Sequence, residues 1–451
     1  MPIREIVKKP RANLTNASVS VLLLANAFVW YLCAFKFLQD AASSGGLTGN
    51  SLIAIIALNF LAFALSAFLG TKLIEHFNTR KTLLKYWMII GILVSFLFAI
   101  VNLADFASVM LLAGIIGAYF GLGMPTFAGY FAASTDPQNR AKFGGATVLL
   151  IILAYAFISM VGVSETLLTA SILAIWLAVG LFFLSGFKSA EKKAEPKDQI
   201  SFRSVISNRT FLLYIVPWLM FSLVNDLTMQ INANYFSGLH ISVYYFLIEN
   251  VITGASAIIW GFLADKKGRK RLALIGFALL GVGYASLGLF DKNIFAAWFY
   301  VCADGVAWGA FTTLFLITLW GDIAEEKNSE KYYVLGVLPY LFSTFAGATM
   351  GTYIVNAFPS EGTVFSFAAF FLFAATLPLF YAPETLSDRI MKNRDLNNYV
   401  SKALEKVKKE NVKKQKHPPK IEVQDTKMPE GKSEDLSSED VEAMKLAEKY
   451  Y

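Results

Sequence analysis

The sequence is poor in the residues that do most protein chemistry: two cysteines, three histidines and only 16% charged residues in 451. The two thiols, Cys33 and Cys302, each fall inside an apolar run, where they behave as small hydrophobes and exclude a disulfide framework. His76, His240 and His417 fall in loops or in the C-terminal tail. No His-Glu-x-x-His or Cys-x-x-Cys spacing is present, so no metal set is expected. No glycine-rich stretch ends in Lys-Ser/Thr either, which removes the phosphate cradle through which ATP would drive work. These gaps predict neither cofactor nor enzyme. The net charge of +7 does not point to nucleic acid, because the basic residues lie in short loops beside apolar runs.

What the chain has instead is hydrophobic length, with 56% hydrophobic residues and 39 phenylalanines. Apolar runs of about 20 residues, enough for a helix to cross a bilayer, recur through residue 382. Six lie between Ala17 and Phe187 and six between Thr210 and Ala382. The expected fold is an all-α integral membrane protein of twelve transmembrane helices in two six-helix bundles, residues 1–187 and 210–382. A charged connector, 188–209, joins them, and 383–451 forms a largely disordered tail with one short helix after Ser438. Lys and Arg concentrate in the connectors after the even-numbered spans, which predicts that both termini face the cytoplasm at the plasma membrane. The N-terminal segment shows no cleavage signature, so it is expected to be retained, and the protein is expected to be monomeric in the lipid bilayer.

The connector Gly261-Phe-Leu-Ala-Asp265-Lys-Lys-Gly268-Arg269-Lys270-Arg271 organises the rest. It joins two apolar runs, so it is a tight hairpin at a membrane surface. Gly268 is the residue able to take positive φ there. A first copy lies 190 positions earlier, with Glu75, Asn78 and Arg80 in the corresponding stretch. Asn is the next most tolerant residue in a left-handed turn. The spacing Gly-x-x-x-Asp-x-x-Gly-Arg-Lys/Arg between two apolar spans resembles the signature loop of major facilitator superfamily transporters, which recurs once in each half of those chains. The first copy departs from that pattern at Thr71, at Thr79 and in the displaced Gly70. A second echo pairs residues 136–142 after span four with 325–331 after span ten. The resemblance implies two repeats around a central cavity that alternate in access, with Gly261, Asp265, Gly268, Arg269, Glu75 and Arg80 forming a gating latch.

Charged groups at mid-membrane cost about 2.5–3.5 kcal/mol each on insertion scales, so they face a cavity or a partner. Asp226, Glu249 and Asp304 occupy such depths, all in the second half. Along span seven Ser222, Asp226, Gln230 and Asn234 recur every four residues, and span ten presents Asp304, Trp308 and Thr312 likewise. The resemblance implies that spans one, four, seven and ten line the cavity. It puts Asp226 and Asp304 on the solute path, Glu249 beside it, and adds Asn26, Trp30, Tyr119 and Tyr130 as first-half candidates. Interhelical hydrogen bonding alone is the competing role for these groups. Pro383-Glu384-Thr385 is similar to the tail motif of sugar porters over three residues, leaving sugars, organic acids, amino acids and drugs as solute classes.

The function expected is secondary active transport of a small polar or organic solute, coupled to protons as in a symporter. A carboxylate in a dry cavity resists ionisation, which ties its proton to solute binding and to the direction the cavity faces; Asp304 or Asp226 is the expected proton carrier, with Glu249 the lesser contributor to coupling. An uncoupled facilitator is one alternative. A non-transporting membrane sensor that signals through the tail is the other.

Overall fold

The structure, a computed structural model, describes residues 9–77, 79–160, 166–186, 200–290, 292–324, 329–358 and 360–386. Asn78, the second echo at 325–328 and the expected tail helix lie outside them. Among the described residues there are no strands, and twelve helices are long and apolar enough to cross a membrane. In chain order they are α1 (Leu14–Ser44), α2 (Asn50–His76), α3 (Arg80–Ile100), α4 (Phe106–Ser134), α5 (Arg140–Ser159) and α6 (Thr166–Gly186). The second set is α7 (Arg209–Gly238), α8 (Tyr244–Lys267), α9 (Arg269–Leu289), α10 (Ile294–Ile323), α11 (Ser329–Gly351) and α12 (Glu361–Tyr381).

Small polar residues start these helices by accepting from free backbone N–H groups. Asn208 caps Thr210 and Phe211, Asn293 caps Phe295 and Ala296, and Ser360 caps Thr363. Asp105 accepts from both the N–H and the hydroxyl of Ser108, which holds its carboxyl below the usual carboxylate range. The connector before α7 is not wholly irregular: Phe202–Ile206 forms a short helix with Val205 buried, and the Phe202 ring packs edge-on against Phe68 of α2 at 4.8 Å.

Within the first half α2 packs on α4, α1 on α4 and α3 on α6; within the second, α11 packs on α7, α8 on α10 and α9 on α12. The halves meet where α5 packs on α8 and α2 on α11. At the α5/α8 crossing the two backbones nearly touch. A Cβ on Gly145 would lie 2.2 Å from the Ala257 carbonyl oxygen, and one on Gly261 would lie 2.4 Å from that of Ala141. Glycine at both positions permits that approach, so Gly261 serves the interface between halves as much as its own turn.

One element departs from the regular helix expected of span ten. Residues Thr312–Thr318 form a π-helical stretch inside α10. Its carbonyls are bonded by side chains: the Thr318 hydroxyl donates to the Thr313 carbonyl at 2.6 Å and the Tyr333 hydroxyl to that of Ile317 at 2.5 Å.

Candidate functional site

Between the halves lies a cavity of about 560 Å³. Its two walls differ in chemistry. The first half contributes an apolar and aromatic wall that includes Phe28, Tyr31, Phe120, Ile151 and Tyr155. The second half contributes the polar wall, with Asp226, Glu249 and Asp304 among Asn225, Asn232 and Thr312. All three carboxylates singled out in the sequence therefore reach one space, Glu249 included.

The acids are held differently. Asp226 accepts a hydrogen bond from Ser343 of α11 through its Oδ2, so it also ties α7 to α11. Asp304 is paired with the Tyr300 hydroxyl one turn back, and Glu249 on α8 is close enough to interact electrostatically with Asp304. Behind them, Asn232 donates to Tyr300 at 3.1 Å and to Tyr284 at 3.4 Å, and Tyr284 shares a 2.8 Å hydrogen bond with Thr228. The Oδ1 of Asn232 is buried and without a partner. Glu249 and Asp304 thus form a carboxylate pair backed by hydroxyl and amide groups from α7, α9 and α10.

Other sequence candidates lie elsewhere. Trp308 and Thr312 line the cavity beside Asp304. Asn26 donates to the Trp176 carbonyl at 2.7 Å and joins α1 to α6. Trp30 is fully buried, donates to Ser95 and packs edge-on against Tyr119 at 4.6 Å, while the Tyr119 hydroxyl donates to the Trp87 carbonyl. Tyr130 is buried in α4, and Ser222 returns its hydroxyl to the Trp218 carbonyl. Gln230 and Asn234 are exposed and outside the lining. Beside Asp226, the lining of α7 consists of Trp218, Asn225, Met229 and Asn232. Asn225 and Asn232, one heptad apart in a span otherwise mostly apolar, were the available signal for that face. Tyr300, at i−4 from Asp304, was the signal for its partner.

No cavity-lining residue comes from the end that carries the basic connectors. That end is filled by ion pairs across the halves. The Asp265 carboxylate accepts from the backbone N–H of Ala141 at 3.2 Å and of Lys142 at 2.8 Å, the free donors at the start of α5. Arg269, fully buried, donates to Asp265 at 2.9 Å, to Asp322 at 2.9 Å and to the Pro137 carbonyl at 2.6 Å. Arg140 of the first half meets the other oxygen of Asp322 at 2.5 Å. In the first copy, Arg80 pairs with Glu330 at the start of α11 at 2.7 Å, and Glu75 is exposed. Asp322, Arg140 and Glu330 complete this network and were not singled out as site residues in the sequence; all three sit at helix ends beside charged connectors, and their partners lie 50 to 250 residues away.

Gly268 has φ 95°, the left-handed region expected of it. A Cβ there would meet Glu384 Oε2 at 2.4 Å. Glu384, in the Pro-Glu-Thr stretch after α12, accepts from the N–H groups of Arg269 and Lys270 and so caps the start of α9. The Tyr214 hydroxyl donates to the Pro383 carbonyl at 2.8 Å. These first residues of the expected tail therefore belong to the packed body. Among the described residues no cluster of His, Cys, Asp and Glu is arranged to hold a metal ion.

A family model described as Major Facilitator Superfamily matches residues 227–414. Solved structures share the fold across the chain. The proton:xylose symporter XylE is 16% identical with a TM-score of 0.62, covering 83% of this chain and 96% of that one. The transporter FucP, in its outward conformation, is 10% identical with a TM-score of 0.64, covering 83% and 100%. The human organic anion transporter MFSD10 is 16% identical with a TM-score of 0.58, covering 82% and 100%. No curated protein matches the chain significantly.

Proposed function

From the Major Facilitator Superfamily match over residues 227–414 and the fold shared with solved transporters of that family, we propose that the chain moves a small organic solute through this cavity by alternating access, coupled to protons. The observation that carries the proposal is the cavity itself. It lies between two half-molecules, bears three carboxylates on one wall, and is separated from the basic end by ion pairs that bridge the halves. Those bridges exist only while that end is closed, so the conformation faces the opposite side, the extracellular one if the basic connectors are cytoplasmic. Opening the basic end requires Asp265 to leave the start of α5 and Asp322 to release Arg140. Asp265, Arg269, Arg140, Asp322, Arg80 and Glu330 are the latch in this scheme.

Glu249 and Asp304 are the proton carriers. Two carboxylates that feel each other's charge can be neutralised by a proton or by a charged solute, so occupancy by a proton and by solute become linked there. Asp226 contributes through its bond to Ser343, which joins the solute wall to α11. The experiment begins with a thermal-stability screen of purified protein against sugars, amino acids, carboxylates and amines. Uptake of the best binder into proteoliposomes is then compared with and without an imposed pH gradient, alongside counterflow. Asp304→Asn and Glu249→Gln are expected to lose gradient-driven accumulation while retaining counterflow, because the amides keep size and hydrogen bonding but not titration. Asp226→Asn is expected to weaken both assays. Wild-type uptake indifferent to the gradient refutes proton coupling and leaves a facilitator. Absence of uptake of every binder refutes transport.

A further inference from the structure

We infer that the cavity's solute is an organic cation, a protonated or quaternary amine with an apolar body, and that it competes with protons for Glu249 and Asp304. The inference rests on the reading that this cavity is the transport site. Its lining contains three carboxylates and no Lys, Arg or His, so an anionic solute would meet only like charge there. The arginines and lysines of α8 and α9 are at the closed end, committed to other partners or to solvent.

A sugar is a poor fit for a different reason. Its hydroxyls need donors and acceptors on several sides, and the first-half wall is mainly phenyl and aliphatic. The Tyr31 hydroxyl on that wall already donates to Asn59 at 2.7 Å, and its ring is stacked on Phe120. What this wall offers is a surface for an apolar or aromatic body. What the opposite wall offers is negative charge and the Trp308 and Tyr340 rings. A solute that satisfies both walls carries its cation at one end and its hydrophobic body at the other.

Competition with protons follows from placement. The titratable groups facing the Glu249 and Asp304 pair are Tyr245 on α8, Tyr284 on α9 and Tyr300 on α10, phenols that remain neutral over the range in which carboxylates titrate. No basic group offsets the pair, so a proton and an organic cation are alternative ways of neutralising it. Carrying one in each direction is exchange rather than the symport expected from the sequence.

Three probes with one aromatic body test this: phenethyltrimethylammonium, phenethyl alcohol and phenylacetate. Binding to purified full-length protein is followed by tryptophan fluorescence, with thermal stability as an independent measure. At about pH 7.5 the cation is expected to bind at least about tenfold more tightly than the alcohol or the acid. Its affinity is expected to fall about fivefold or more near pH 4, where both carboxylates are about half protonated or more while the quaternary charge is fixed. Glu249→Gln and Asp304→Asn are expected to reduce the preference for the cation. Equal or tighter binding of phenylacetate or the alcohol overturns the inference, as does an absence of binding by all three. A cation affinity that does not change with pH overturns the competition. Uptake of the same probes into proteoliposomes separates this from the transport proposal. Selective cation binding without any uptake refutes transport and keeps the cation site; uptake of phenylacetate or of a sugar keeps transport and refutes the cation class.

Discussion

The α2–α3 and α8–α9 connectors carry related residues 190 positions apart, yet they bond across the molecule in opposite senses. In the second, the loop supplies the carboxylate: Asp265, 5% exposed, accepts from the N–H groups that begin α5. In the first, the loop supplies the cation: Arg80 reaches a carboxylate, Glu330, at the start of α11, and Glu75 in the position matching Asp265 is exposed. A helix start has free backbone donors, so a buried carboxylate there satisfies several at once, whereas a side-chain ion pair satisfies one. The repeat has kept the place of the contact and lost its equivalence. One connector is a buried cap and the other a partly exposed ion pair.

Four substitutions grade that difference. Asp322→Ala is expected to do most, because Asp322 is the common partner of Arg140 and Arg269: Arg140 would be left buried without a carboxylate, and Arg269 with Asp265 alone. Losing one member of a buried pair costs about 3–5 kcal/mol, to be read as a large drop in unfolding temperature of the purified protein. Next is Asp265→Ala, expected to leave the protein folded but to slow transport. Each charged hydrogen bond is worth about 1.5–3 kcal/mol, so labelling of a single cysteine placed in the cavity, in a chain lacking Cys33 and Cys302, should rise from the basic side. Arg80→Ala should cost less than Asp322→Ala, because Arg80 is partly exposed and removes one ion pair rather than two, although it leaves the buried Glu330 without that partner; its effect should shrink in high salt as the pair is screened. Glu75→Ala should change neither rate nor labelling. If Glu75→Ala were as damaging as Asp265→Ala, the two connectors would be equivalent in the working cycle and the asymmetry only a property of this conformation.

The fold was legible because membrane crossing imposes one simple demand, a long apolar run, and the sequence meets it twelve times. Gly268 was legible because positive φ narrows the choice of residue. The cavity face of α7 was not, and the reason is angular. Residues advance about 100° around an α-helix, so a four-residue interval drifts about 40° at each step, and Asn234 ends about 120° away from Ser222. The observed lining of Trp218, Asn225, Asp226, Met229 and Asn232 covers about 120°, with Asp226 at one edge, so Gln230 and Asn234 drift out of it. The first-half candidates were obscured for another reason. In α1, 78% of the most apolar window is buried, so Asn26 and Trp30 meet other helices on nearly every side and no pattern marks a cavity face. Asp322 was passed over because a charge next to a connector looks solvated until its two distant arginines are in view.

The π-helical stretch at Thr312–Thr318 settles the phase of α10. Asp304 and Asp322 are 18 residues apart, which in an unbroken α-helix is five whole turns, and would stack both acids on one side. A π turn absorbs an additional residue, so the helix below it is rotated by roughly 100° relative to the helix above. Asp304 can then address Glu249 and the cavity while Asp322 addresses Arg140 and Arg269. One continuous rod thus carries two acids aimed at different clients, and its irregular turn acts as the keyway between them. Deleting one residue from that turn would leave a regular α-helix with the acids 17 residues apart, about 100° short of five turns, so each should keep its own direction; turning the stretch into regular α-helix at its present length is what would stack them.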